Sequence, residues 1–377
     1  MKALFAIAAV VFFATPVAAR VVGVKAEPFE NRGLAEAPSL DDGWNVFDRA
    51  TRFLTDRMPL REEAVRANTR ISQDLFDTTP RYGEGDGRGL PFAGSGGRGP
   101  EVRNFDGFRV ATGRDGWLYL ADEPDRACTP PFPRDAAVRR WRQLSAIVRG
   151  SGRRAAVVVA PDKYTVHPEH LPLDEAKRRC ARRGGAALWK LIESVPRDEN
   201  LIGLREPLLR LKRSRGEPVY LRTDSHWTPR GAFEMVSGVL DRLGRGVRPA
   251  RGELVDLGSQ DVPGDLNGLV GDPTPERRRR LEVRRRPGAP KVPGRTVFVL
   301  DSFGEKVTEM LPPYFETVEL VYWNRERRTS RAQLAAAVER ADTVVFEAVE
   351  REFAMRAGNR EQVNAAFLQR LRELPRR

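Results

Sequence analysis

The stretch TVFVLDSFGEK, residues 296–306, decides the fold. Thr296 to Leu300 is an unbroken β-branched and apolar run, without the alternation of a strand that faces water on one side. Such a run belongs to a strand covered on both faces. Asp301-Ser302 then turns the chain, and helix-forming residues follow. The same pattern recurs in AAVVVAPDKYTV (155–166), VYLRTDSHWTPRGAFEM (219–235), TVELVYW (317–323) and TVVFEAV (343–349). Helical spacing predicts helices between them at Asp135 to Arg149, Ala186 to Val195, Pro229 to Leu243, Phe303 to Leu311, Ser330 to Ala341 and Glu361 to Leu374. Buried strands alternating with helices predict an α/β fold, an α/β/α sandwich around a mostly parallel sheet.

The rest of the chain is arranged around that alternation. Residues 1–19 read as a signal peptide: Lys2, an apolar run from Ala3 to Ala14, and small residues before Arg20. Export to the periplasm or another extracytoplasmic space follows. An uncleaved anchor is the alternative, although a spanning helix needs about 20 apolar residues. Residues 20–43 read as an extended lead-in to one domain over 44–377, whose first part, 44–76, has helical spacing interrupted by Pro59. GRDGWLYL (113–120) reads as a hairpin. Residues 81–107 and 245–295, rich in Gly, Arg and Pro, read as flexible insertions.

Composition narrows the function classes. Of 377 residues, 65 are Lys or Arg and 52 Asp or Glu, a net charge of +13. Arginine runs at 277–280 and 284–286 carry part of it, with no aromatic residues interleaved, and export argues against nucleic acid. A solvated surface, with long-range attraction for anionic polysaccharide or headgroups, is the reading that remains. The two cysteines, Cys128 and Cys180, form a disulfide or stay as buried thiols. Three histidines and two cysteines show no metal-ligand spacing, so neither a metal nor a cofactor is expected.

In open parallel sheets, sites form beyond the carboxyl ends of the strands. Four such ends are polar: Pro161 to Tyr164, Asp224 to Trp227, Asp301-Ser302 and Tyr322 to Asn324. Acyl transfer requires a hydroxyl nucleophile, a base to take its proton, and a group that orients the base. Ser302 on a strand-to-helix turn suits the first role, and N–H groups opening the next helix suit the developing oxyanion. His226 suits the second, since an imidazole titrates near working pH. Asp224, two residues earlier, reaches that ring across a tight turn. Taken singly, Ser302 and Asp224 read as helix-cap and turn residues, and His226 as structural.

TDSHWTPRGA (223–232) resembles the D-x-H-W element of AlgJ/AlgX-type SGNH hydrolase-like proteins, which O-acetylate alginate and other exopolysaccharides. VLDSFGEK is similar to that family's later Asp-Ser strand end. APDKYTVHPEHLP and GRDGWLYL resemble two further elements, and the likeness spans roughly 44–375. The resemblance implies an SGNH-hydrolase-like, flavodoxin-like α/β/α sandwich with a triad of Ser302, His226 and Asp224. It implies a ping-pong reaction in which Ser302 accepts an acetyl group and passes it to a polysaccharide hydroxyl. It also implies a membrane-bound O-acyltransferase as the source of acetyl. Leu300 stands where SGNH proteins have glycine before Asp-Ser. Asn324 and Tyr322 are the oxyanion candidates, and Lys163 with Tyr164 the substrate candidates, with Lys163 steering an anion or serving a structural ion pair. A secreted carbohydrate acetylesterase and a non-catalytic polysaccharide-binding scaffold are the alternatives.

Overall fold

The structure is a computed structural model that describes Phe53 and residues 102–377, apart from 106–107, 216–217, 245, 250–252, 271, 273 and 324–328. The leader 1–19, the lead-in 20–43, the helical segment 44–76 and most of the insertion 81–107 therefore lie outside the described residues, Phe53 excepted. Among the described residues, no helix is long and apolar enough to cross a membrane.

Strands β1 (Val102–Phe105), β2 (Phe108–Thr112) and β3 (Leu118–Leu120) form a small antiparallel sheet. The hairpin expected at GRDGWLYL joins the last two. Next come β4 (Arg154–Ala160) and β5 (Leu201–Gly203), then an antiparallel ribbon of β6 (Leu254–Val262) and β7 (Glu276–Val283). The chain finishes the main sheet with β8 (Val292–Leu300), β9 (Phe315–Tyr322) and β10 (Thr343–Val349). The main sheet has the order β5-β4-β10-β8-β9, and every pairing in it is parallel.

Period-two alternation divides its side chains between two cores. Ala156, Val158, Ala160, Phe298, Leu300, Val345 and Val349 face one layer, where the helix Pro229–Leu243 packs through Ala232, Met235, Val236 and Val239. Ala155, Val157, Val159, Val297, Val299, Val344 and Phe346 face the other, covered by helices Arg134–Gly150, Arg331–Arg340 and Ala365–Arg372. The result is the expected α/β/α sandwich around a parallel sheet. Cys128 and Cys180 form a disulfide that ties the helix Asp122–Cys128 to the helix Glu175–Glu193.

Three expectations need correction. VYLRT (219–223) is not a sheet strand: it makes one antiparallel bridge, Tyr220 with Trp227, and lies as a buried crossing over the edge. Its backbone bonds go elsewhere, Val219 N–H to His167 Nε2 (3.4 Å) and Thr228 N–H to Val219 O (2.8 Å). The helix expected from Phe303 to Leu311 breaks into one turn, Ser302–Glu305, and a 3-10 turn, Thr308–Met310. The insertion 245–295 is not a featureless excursion, because it holds the β6–β7 ribbon and the helix Asp265–Val270 between its strands.

Candidate active site

The carboxyl ends of β4, β8, β9 and β10 meet at one edge of the sheet, and the 219–228 crossing lies across them. Ser302 follows β8 there and is half-buried. Asp301 anchors its turn: one carboxylate oxygen accepts from Phe303 N–H (2.9 Å), the other from Val349 N–H on β10 (2.9 Å). Leu300 packs against Gly304, where any Cβ would come within 2.5 Å of its side chain. Only glycine allows the chain to fold back so tightly after Ser302.

The Asp224-Ser225-His226 turn is brought to the same edge. Trp227 donates its indole N–H to Phe303 O (3.1 Å), and the His226 ring centroid lies 5.0 Å from that of Phe303. Asp224 Oδ1 accepts from both the backbone N–H of His226 (2.8 Å) and its Nδ1 (2.7 Å), which fixes the tautomer with Nε2 free. Nε2 is buried and has no hydrogen-bond partner among the described residues. No hydrogen bond joins Ser302 to His226 here; in free enzymes such bonds are often long and tighten when substrate binds.

Backbone accounting explains why this turn holds without a strand ladder. Glu276 on β7 accepts from the N–H groups of Arg222 (2.9 Å) and Thr223 (2.8 Å). Thr223 O accepts from the N–H groups of Leu266 (3.1 Å) and Asn267 (3.3 Å). That contact needs Gly264, since a Cβ there would sit 2.0 Å from Thr223 O. Asp265 accepts from Ser225 N–H (2.6 Å) and Ser225 Oγ (2.5 Å), and its Oδ2 lies 3.3 Å from His226 Nδ1.

Lys163 completes the clamp. Its fully buried ammonium donates to the carbonyls of Leu118 (2.6 Å), Arg222 (2.7 Å) and Asp224 (3.1 Å), below the rings of Trp117 and Tyr119. With all three protons used on backbone, it has none to offer an anionic substrate. Tyr164 is likewise buried, its hydroxyl enclosed and its N–H donated to Glu123. Tyr322 ends β9 in register with Leu300, half-buried beside the Ser302 turn. Asn324 lies outside the described residues. Phe303 N–H, which would suit an oxyanion, is already committed to Asp301.

The electrostatics centre on His226. Burial alone would lower its pKa, but the carboxylates of Asp224 and Asp265 outweigh that and raise it to about 9. Asp265 is held well below the usual carboxylate range by His226 and Ser225, despite its partial burial. Under Ser302, burial and the Asp301 carboxylate push Glu347 well above the usual range. Sequence reasoning missed Asp265, Glu276 and Glu347. The first two sit in the insertion read as flexible. The third sits inside the run TVVFEAV, where one acidic residue among buried neighbours was the available signal.

Residues 110–292 match the family described as SGNH hydrolase-like domain, acetyltransferase AlgX. Over that segment, just under half of its length, the chain resembles the AlgJ/AlgX-type SGNH hydrolase-like family. It is similar to "Probable alginate O-acetylase AlgJ" of Pseudomonas aeruginosa, 28% identical over 207 residues, which is 49% of this chain and 48% of that protein. The protein of the same name from Pseudomonas fluorescens is 30% identical over 125 residues, 33% of this chain and 30% of that one. The match thus spans about half the length of the first relative and less of the second. The solved O-acetyltransferase domain of Pseudomonas putida AlgJ is 18% identical, with a TM-score of 0.48 over 70% of this chain and 99% of that one. The AlgX-type segment includes Asp224, His226 and Asp265 and ends ten residues before Ser302.

Proposed function

We propose that this chain is an exported polysaccharide O-acetyltransferase in which Ser302 is the nucleophile, His226 the general base and Asp224 its orienting carboxylate. The observation that carries the reading is the meeting of the two turns: Trp227 bonds Phe303 O, and the adjacent His226 keeps a buried, unpartnered Nε2 at the Ser302 edge. Ser225 is the other nearby hydroxyl, but it is buried and bonded to Asp265 on the Nδ1 side of the ring.

The steps balance as an acyl exchange. Ser302 Oγ attacks the acetyl carbonyl of a donor while His226 Nε2 takes the hydroxyl proton. The tetrahedral intermediate expels the donor's oxygen, which leaves with that proton, and acetyl-Ser302 remains. A sugar hydroxyl then attacks, His226 takes its proton, and the proton returns to Ser302 as the acetyl ester leaves on the glycan. Asp224 holds the Nδ1 proton throughout and stabilises the imidazolium. The acceptor is an exopolysaccharide of the alginate kind, and the donor is a membrane-bound O-acyltransferase that supplies acetyl outside the cytoplasm.

Turnover of an acetyl ester by Ser302→Ala and His226→Ala tests the site. Each variant is expected to lose at least about a thousandfold, the scale of removing a triad member. Retained turnover in both would leave a polysaccharide-binding scaffold as the better reading. Mass analysis of an added oligosaccharide then separates transferase from esterase, because acetyl found only as acetate defeats the transferase.

A further inference from the structure

Asp265 comes from the insertion between β6 and β7, and nothing about the triad requires it. We infer that Asp265 is a positioning residue for His226, a second carboxylate that holds the Nδ1 edge of the imidazole and locks the Asp224-Ser225-His226 turn. The inference rests on the reading of His226 as the base.

Three independent contacts converge on it. Its Oδ1 accepts the Ser225 N–H (2.6 Å) and its Oδ2 the Ser225 hydroxyl (2.5 Å), so the residue between the triad members is fixed at both backbone and side chain. The same Oδ2 is 3.3 Å from His226 Nδ1, beside Asp224 Oδ1 at 2.7 Å. The backbone beside Asp265 is docked as well, through Gly264 and the two N–H groups on Thr223 O. A group placed this way acts whenever Nε2 takes up a proton, because two carboxylates then face one imidazolium. The other charged groups around the turn are Lys163 on Asp224 O, Glu276 on Thr223 N–H, and Arg351 above the Phe303 ring. Of these, only Glu276 adds to the negative side.

The experiment uses the full chain carrying Asp265→Asn, which keeps the shape and an oxygen for Ser225. The His226 ring is titrated by NMR, assigned among three histidines with His226→Gln, and ester turnover is followed against pH. The titration midpoint is expected to fall by about one pH unit or more, as loss of a neighbouring carboxylate dictates. The rise of turnover with pH should shift down by the same interval, and the plateau should fall about tenfold from looser placement of the ring. Asp265→Glu, which restores the charge, should return the midpoint towards wild type. If Asp265→Asn does not fold, Asp265→Ser replaces it. A wild-type midpoint in the neutral variant overturns the inference, whatever the rate does. Should Ser302→Ala and His226→Ala keep full turnover, the acyl-transfer reading fails by itself, while the midpoint still reports whether Asp265 governs His226.

Discussion

The two turns that make the site are held in different ways. The Asp301-Ser302 turn is held by the sheet: Asp301 N–H bonds Glu347 on β10 (3.0 Å), its carboxylate takes Val349 N–H, and Leu300 O takes Trp323 N–H (3.1 Å). The Asp224-His226 turn has no ladder. Lys163, Glu276 and Asp265, side chains from three separate segments, hold its backbone groups. The proposed nucleophile is therefore placed by the fold itself and the proposed base by charged clamps. Damage to a clamp should misplace the base while the fold survives. Damage beneath Ser302 should loosen the sheet first.

The largest expected effect tests the clamp. Lys163→Met removes the donor to three carbonyls and should lower ester turnover about a hundredfold, the loss that follows a displacement of about 1 Å in a catalytic group. Stability should change by about 1 kcal/mol or less, because the buried ammonium also sheds its desolvation penalty. That penalty is visible in its pKa, which burial lowers to about 8. Turnover within twofold of wild type would show that the turn is held without Lys163, and the contrast between the turns would collapse.

The same contrast explains what the sequence made legible. Every strand of the main sheet except β5 announced itself as an apolar run: β4, β10 and the second half of β8 are buried on both faces, which leaves no alternation to misread, while the edge strand β9 is partly exposed. Three residues, Leu201–Gly203, were too few for β5 to do so. VYLRT carried the same composition but is buried by packing over the edge, and composition does not report where the backbone bonds go. Asp224, His226 and Ser302 were legible because each follows an apolar run. Asp265 was not: its role depends on a ribbon folding back from forty residues away, and Pro, Gly and Arg around it resemble any surface loop. Lys163 was legible as a strand-end residue, but nothing in the neighbouring residues signals that its ammonium is enclosed.

The next effect separates the base from the fold by pH. The folded pKa of His226, about 9, lies above the free value of about 6.5. Its contribution to stability is thus complete below about pH 6.5 and is lost as pH rises through 9, roughly 3 kcal/mol over the interval. Turnover is expected to run the other way, because the proposed base must be neutral. Urea unfolding of wild type and His226→Gln at pH 6 and pH 10 isolates the group, since Glu123 and Glu350, raised by burial to about 8 and 7, titrate alike in both proteins. Parallel pH dependence in the two proteins would mean that the imidazole is not clamped by carboxylates.

The smallest expected effect lies beneath Ser302. Asp301→Ala strips the acceptor from the N–H groups of Phe303 and Val349, both in a buried setting. Leaving two donors unpaired, one of them also a lost helix cap, should cost about 2 kcal/mol of stability. Here the loss appears in the unfolding midpoint, where Lys163→Met should show almost none. If Asp301→Ala instead melts like wild type and loses only turnover, both turns depend on side-chain clamps. The sheet then contributes the location of Ser302 but not its rigidity.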